Sequence, residues 1–166
     1  MRLRQPLRTD DAGGRHSSYF GQLNAGKRSL TLDLKNPEAI TLIRRMVLDA
    51  DVLIENFRPG VMDRLGLGAD VLRALNPRLV YASISGYGQT GAAAGRAAYA
   101  MIVQAASGYE RTLARYAGDR TRPAATATFV ADLLGGIFAF SAIQTALVQR
   151  ARTGVGQQVD VALMDC

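Results

Sequence analysis

Hydrophobic and polar positions along the chain mark out alternating strands and helices. Met1 to Gly26 is polar and glycine-rich without a period, and is expected to be an arm or loop. Ser29 to Leu34 is a short β-leaning run. Asn36-Pro37-Glu38 then supplies an N-cap, a first-turn proline and a carboxylate that complements the helix dipole. Ile40, Ile43 and Val47, with Leu42 and Met46 widening the stripe, continue this as an amphipathic helix to about Asp49. Val52-Leu53-Ile54 reads as a buried strand, stopped by Glu55-Asn56-Phe57-Arg58-Pro59-Gly60. After that turn, Ala69 to Leu75 is predicted helical and Leu79 to Ile84 a second buried strand.

The second half is more irregular. Ser85 to Ala98 holds Gly86, Gly88, Gly91 and Gly95, which predicts a surface loop. Tyr99 to Ser107 resumes a helical pattern. Arg111 to Pro123 carries Arg111, Arg115, Arg120 and Arg122 without clean periodicity and reads as a basic loop. Asp132 to Arg150 is the strongest helix, its wide apolar stripe built from Leu133, Leu134, Ile137, Phe138, Phe140, Ile143, Leu147 and Val148. Thr153-Gly154-Val155-Gly156 ends it, and Gln157 to Ala162 alternates like a strand. Strands and helices in this order predict βαβ units, hence an open α/β domain with a mostly parallel sheet.

Composition narrows the class. The chain has 166 residues, 48% hydrophobic and 20% charged, which excludes disorder, collagen and a disulfide scaffold. Lys and Arg number 20 against 14 Asp and Glu, so the net charge is +6 and an anionic partner is favoured. That partner could be nucleic acid, an acidic membrane surface or a phosphorylated small molecule, and arginines scattered without interleaved aromatics rank nucleic acid low. Cys166 is the only cysteine and His16 the only histidine, so neither an internal disulfide nor a metal site of the usual ligands is expected, and the setting expected is the reducing cytoplasm. The longest apolar run, Leu133 to Val148, is interrupted by Gly135, Gly136, Ser141, Gln144 and Thr145, and no membrane span is expected from it.

General motifs give little: there is no GxGxxG opening a helix, no Walker loop and no GxSxG. The order of longer blocks gives more. Gly26-Lys27-Arg28-Ser29-Leu30-Thr31-Leu32-Asp33-Leu34-Lys35 is followed by Ala50-Asp51-Val52-Leu53-Ile54-Glu55-Asn56-Phe57-Arg58-Pro59-Gly60, and then by the stretch from Asn76 to Gly91. Val130-Ala131-Asp132-Leu133-Leu134-Gly135-Gly136 and the stretch from Arg152 to Ala162 complete five blocks in order. Together they resemble the class III CoA-transferase family, which includes formyl-CoA and carnitine CoA-transferases and has α-methylacyl-CoA racemase as a relative.

The resemblance implies a Rossmann-like α/β large domain, here residues 27–166 behind an N-terminal arm of residues 1–26. It also implies an acyl-CoA substrate, a carboxylic acid acceptor, no permanently bound cofactor, and a catalytic aspartate that falls on Asp132. An aspartate ahead of an apolar helix is also what an N-cap requires, so capping and nucleophile remain open together. In either role the dipole is expected to hold the carboxylate ionised. CoA-binding positions of the family fall on Leu32, Lys35, Asn56, Phe57, Arg64 and Tyr99. Taken alone, Lys35 would be a solvated lysine, Phe57 a loop anchor in the core, Arg64 a helix-surface charge, and Tyr99 a helix start with its ring on the sheet.

Tyr99 stands where the racemase branch places a histidine, which weakens a two-base racemase, and the Ala100 after it departs from the aspartate common in transferases. Compared with the family the chain looks cut at both ends, lacking the first strand and the small second domain, and Val159 to Val161 is expected to be a strand whose partner is absent. Three readings follow. One is a CoA-transferase acting as an interlocked homodimer or with a complementing C-terminal fragment. Another is a noncatalytic or split-enzyme fragment that binds CoA or a partner subunit. An acyl-CoA racemase is the lesser alternative.

Overall fold

The computed structural model describes residues 7–9, 13–118, 121–123 and 128–166. The chain divides after Asp33 into two units. In the first, strands β1 (Leu7–Thr9) and β2 (Arg15–Ser17) pair antiparallel and lead into helix α1 (Ser18–Asn24). Ser17 Oγ accepts from Phe20 N at 3.2 Å and caps that helix. This corrects the expectation of an arm or loop: strands of three residues are too short to create a readable period.

The second unit is built on a three-stranded parallel sheet in the order β3 (Val52–Glu55), β4 (Val80–Ser85), β5 (Gln158–Ala162). Val52 stands opposite Val80, and Ala82 opposite Val159. The strand at Val159 to Val161 therefore has a partner, in the central strand β4, contrary to expectation. Ser29 to Leu34, read as β-leaning, forms no strand, and no described strand pairs with it. A β-leaning run becomes a strand only where a neighbour takes up its hydrogen bonds.

Side chains of β4 alternate between two apolar cores. Leu79 and Tyr81 pack with Val47 of α2 (Pro37–Val47) and Leu72 of α4 (Ala69–Leu75). Val80 and Ala82 pack with Ala139, Ile143 and Ala146 of α7 (Val130–Thr153). Asn36 caps α2 as its sequence predicts, its side chain accepting from Glu38 N at 2.9 Å. Leu42 and Met46, expected to widen the buried stripe of α2, are exposed instead. Between β3 and β4 a short helix α3 (Val61–Arg64) precedes α4, and α5 (Ala100–Ala106) and α6 (Tyr109–Tyr116) precede α7. Helix α6 replaces the first part of the expected basic loop at Arg111 to Pro123; Arg120 lies outside the described residues.

Helix α7 departs most from its reading. At 24 residues it is longer than the apolar run suggested, and by length and composition alone it could cross a membrane. Its buried face is made of small residues, Ala131, Gly135, Ala139 and Ala146, with Ile143. These let the helix lie close against β4 and β5. Leu133, Ile137, Phe138, Phe140 and Val148, assigned to the core side by periodicity, are at least half exposed.

Candidate functional site

Parallel strands leave a crevice at their carboxyl ends, where open α/β sheets bind ligands. Here the residues that follow β3, β4 and β5 meet the amino ends of α5 and α7 around a cavity of about 370 Å³. Asn56, Phe57, Arg58 and Pro59 come from the turn after β3, Ser85 and Gly86 from the end of β4, and Leu163 from the turn after β5. Arg96, Ala98 and Tyr99 come from the glycine-rich loop and the start of α5, and Asp132 from the first turn of α7. A volume of this size lies in the range of small-molecule sites, about 300–1,000 Å³.

Asp132 is the third residue of α7. The N-cap is Phe129, which makes no side-chain cap bond, so the capping reading of Asp132 is overturned. Its carboxylate makes no hydrogen bond or ion pair with a described residue. Of the amides at this helix end, Ala131 N donates to Oε1 of Gln104, buried on α5, at 3.5 Å. Partial burial pushes the Asp132 carboxyl up from the ordinary carboxylate value.

Asn56 and Phe57 are shaped by β3 and β4. Asn56 Nδ2 donates to the Ile84 carbonyl at 2.6 Å, and Phe57 N donates to Oε2 of buried Glu55 at 2.7 Å. Phe57 stays 45% exposed at the cavity, which removes the reading of a core anchor. Tyr99 is the residue before α5 and is 72% exposed, so it starts a helix but does not pack its ring on the sheet. Gly86 permits the loop to close over the strand end, because a Cβ there would run into Ala98.

Four of the seven residues singled out from sequence therefore line one cavity: Asn56, Phe57, Tyr99 and Asp132. Lys35, in the turn before α2, and Arg64, on α3, are exposed and outside its lining. Leu32 is half-buried in the N-terminal unit. The sequence reading did not single out Arg58 or Arg96. Arg58 sat beside chosen residues in the Asn56-to-Pro59 turn, whereas Arg96 was one charge in a glycine-rich loop and carried no signal of its own.

A family model described as CoA-transferase family III matches residues 2–166. The chain belongs to this family. Similar family III proteins include the acetyl-CoA:oxalate CoA-transferase of Acetobacter aceti, 48% identical over 152 residues, covering 92% of this chain and 39% of that relative. The human alpha-methylacyl-CoA racemase is 39% identical over 160 residues, covering 96% of this chain and 41% of the relative. Among solved structures, a CaiB/BaiF family protein from Brucella suis matches with a TM-score of 0.86 and 42% identity, covering 98% of this chain and 42% of that one. The family III chain thus spans about two fifths of the length of these relatives, and its mixed α/β architecture with a parallel sheet is shared with them.

Proposed function

We propose that this chain carries the nucleophile of a CoA-transferase that moves CoA between carboxylic acids through an aspartyl-CoA thioester. One observation supports the reading above others: the Asp132 carboxylate has no partner among the described residues, is not the N-cap, and lines a cavity at the strand ends together with Asn56, Phe57 and Tyr99. In this reading a carboxylate oxygen of Asp132 attacks the thioester carbonyl of the donor. The carbon–sulfur bond breaks, giving a mixed anhydride and CoA thiolate. The thiolate then attacks the aspartyl carbonyl, releases the donor acid as its carboxylate and leaves the aspartyl-CoA thioester. The acceptor carboxylate repeats the sequence in reverse through a second anhydride, regenerating Asp132. Partial desolvation raises the basicity of the carboxylate, which suits a nucleophile.

Acyl-CoA is then a substrate and no resident cofactor is required. Asn56, Phe57 and Tyr99 flank the CoA, while Leu32, Lys35 and Arg64 are proposed for its more distant parts. The exposed apolar side of α7, with Ile137 60% and Phe140 62% exposed, supports a partner surface, either a second copy or a complementing C-terminal segment. The proposed setting is the reducing cytoplasm. A racemase relative exists, but Tyr99 supplies no imidazole for a second base.

The test is intact-mass analysis after mixing the protein with an acyl-CoA. A CoA-sized adduct is expected on Asp132 and is lost in Asp132→Ala, while CoA binding persists. An adduct mapping to another residue sinks the assignment, and CoA binding without any adduct favours a noncatalytic binding fragment.

A further inference from the structure

A second cavity, of about 230 Å³, opens on the α4 face of the sheet and shares only Arg58 with the lining of the Asp132 cavity. It is polar although it is cut into the interior. Glu55, the last residue of β3, stands opposite Ser83 of β4 in the register, so both side chains leave the same face of the sheet. Glu55 is 8% exposed and Ser83 2%, and both line the cavity. Glu55 Oε2 accepts from Phe57 N at 2.7 Å, whereas its Oε1 and the Ser83 hydroxyl make no hydrogen bond with a described residue.

Asp63 of α3 and Asp70 of α4, both exposed, bring the lining to three carboxylates against one guanidinium, that of Arg58. Arg58 forms no ion pair with any of the three. The negative field reaches the wall: burial first, then the charges of Glu55 and Asp63, push the Tyr81 phenol up, and its hydroxyl donates to the Leu67 carbonyl at 3.2 Å. A buried carboxylate without a cation is costly, and a buried hydroxyl without a partner marks a place for a polar ligand atom. The cavity is therefore short of positive charge. Among the described residues no group of three His, Cys, Asp or Glu is placed to hold a metal ion, so the cation that fits has donors of its own spread over a wider span. A guanidinium has five N–H donors in a plane and no acceptor. The volume is below the range of about 300–1,000 Å³ typical of small-molecule and cofactor sites, which suits a head group.

We propose that this cavity is a binding site for a guanidinium group. The group donates to Glu55 Oε1 and to the Ser83 hydroxyl on the buried side and meets the charges of Asp63 and Asp70 at the open side. Gln89 also lines the cavity, its Nε2 buried without an acceptor, and a half-turn of that amide brings Oε1 to the guest. Two sources carry this chemistry, a free guanidinium compound and an arginine of a second copy of this chain. The second is favoured by charge, since an acidic cavity on a chain of net charge +6 complements the surface of another copy. The site makes no use of Asp132, so it stands apart from the CoA-transferase reading.

The experiment titrates the wild-type chain with methylguanidinium and with methylurea, which has a similar shape and no charge, and follows the amide chemical shifts of Ser83 and Gln89. Methylguanidinium is expected to shift both amides saturably, and methylurea to bind about ten-fold more weakly. Glu55→Gln is expected to lose about ten-fold in methylguanidinium affinity, Ser83→Ala about three-fold, and the exposed Asp63→Asn about two-fold. A wild-type-like amide spectrum shows that each variant folds, and if Glu55→Gln does not, the other two carry the test. Absence of a saturable shift in wild type overturns the proposal, as do equal affinities for the two probes or undiminished affinity in the folded variants. Sedimentation with and without methylguanidinium separates the sources. A fall in mass on adding the probe assigns the group to an arginine of a second copy, and unchanged mass with binding assigns it to a free cation; either supports the site.

Discussion

Asn56 Nδ2 donates to the main-chain carbonyl of Ile84 at 2.6 Å, tying the turn after β3 to the end of β4. The bond anchors the turn that carries Phe57 and Arg58 to the cavity wall. One Nδ2 hydrogen is thereby committed to the protein, while the other and Oδ1 stay available to a ligand. Asn56→Ala is expected to cost about 1 kcal/mol, seen as a melting temperature lower by about 2–4 °C. Asn56→Asp should melt lower still, because it sets a carboxylate oxygen against a carbonyl. Acyl-CoA affinity should fall about five-fold in Asn56→Ala as the turn loosens. Melting of Asn56→Ala at the wild-type temperature would show that the bond does not hold the turn.

Much of the second unit was legible because its elements carry local signals. Asn36-Pro37-Glu38 starts α2, and the apolar runs at Val52 and Leu79 become β3 and β4. Ala69–Leu75 is helical as read, and Gly154 closes α7 with positive φ. The failures share a cause, which is that tertiary contacts decided them. Helix α6 is only eight residues long, and Arg111 and Arg115 drew the reading away from Tyr109, Leu113 and Tyr116, which stand at helical spacing. In α7 the period located the helix but not its buried side. Alanines and glycine permit the closer approach to the sheet, and the large apolar residues are left outside. Asp132 was visible as a residue, but the helix begins after Phe129, and only the structure shows that Asp132 is not its N-cap. Arg96 depends on the packing of Ala98 against Gly86, a contact no local pattern announces.

The upward push on the Asp132 carboxyl links site and stability. Burial raises the folded-state value above the unfolded one, so the charged carboxylate costs stability. Below the unfolded value both states are protonated and the cost vanishes. As pH rises through the folded value, wild type loses this increment and does not regain it. Asp132→Asn is therefore expected to melt with wild type near about pH 4 and above it near about pH 7. Melting curves of both proteins across that interval check this. The opposite sign, with Asp132→Asn losing ground as pH rises, would mean that the helix dipole stabilises the carboxylate more than burial costs it.

Arg150 and Asp51 form an ion pair whose two members should differ in weight. Arg150 Nη2 donates to Asp51 Oδ1 at 2.8 Å, while Nη1 donates to the main-chain carbonyls of Asp51 at 3.3 Å and Arg78 at 3.1 Å. The arginine side chain is 13% exposed and the aspartate 78%. One guanidinium thus joins the end of α7 to the starts of β3 and β4, whereas the carboxylate adds a solvated charge. Asp51→Asn is expected to cost about 0.5 kcal/mol or less. Arg150→Met keeps much of the packed stem but removes three hydrogen bonds, and is expected to cost about 1–3 kcal/mol. Arg150→Lys should fall between, because a single ammonium cannot reproduce the planar fork that reaches a carboxylate and two carbonyls. Urea denaturation midpoints for the three variants give the ordering. Equal losses for Asp51→Asn and Arg150→Met would place the stability in the charge pair and not in the carbonyl contacts.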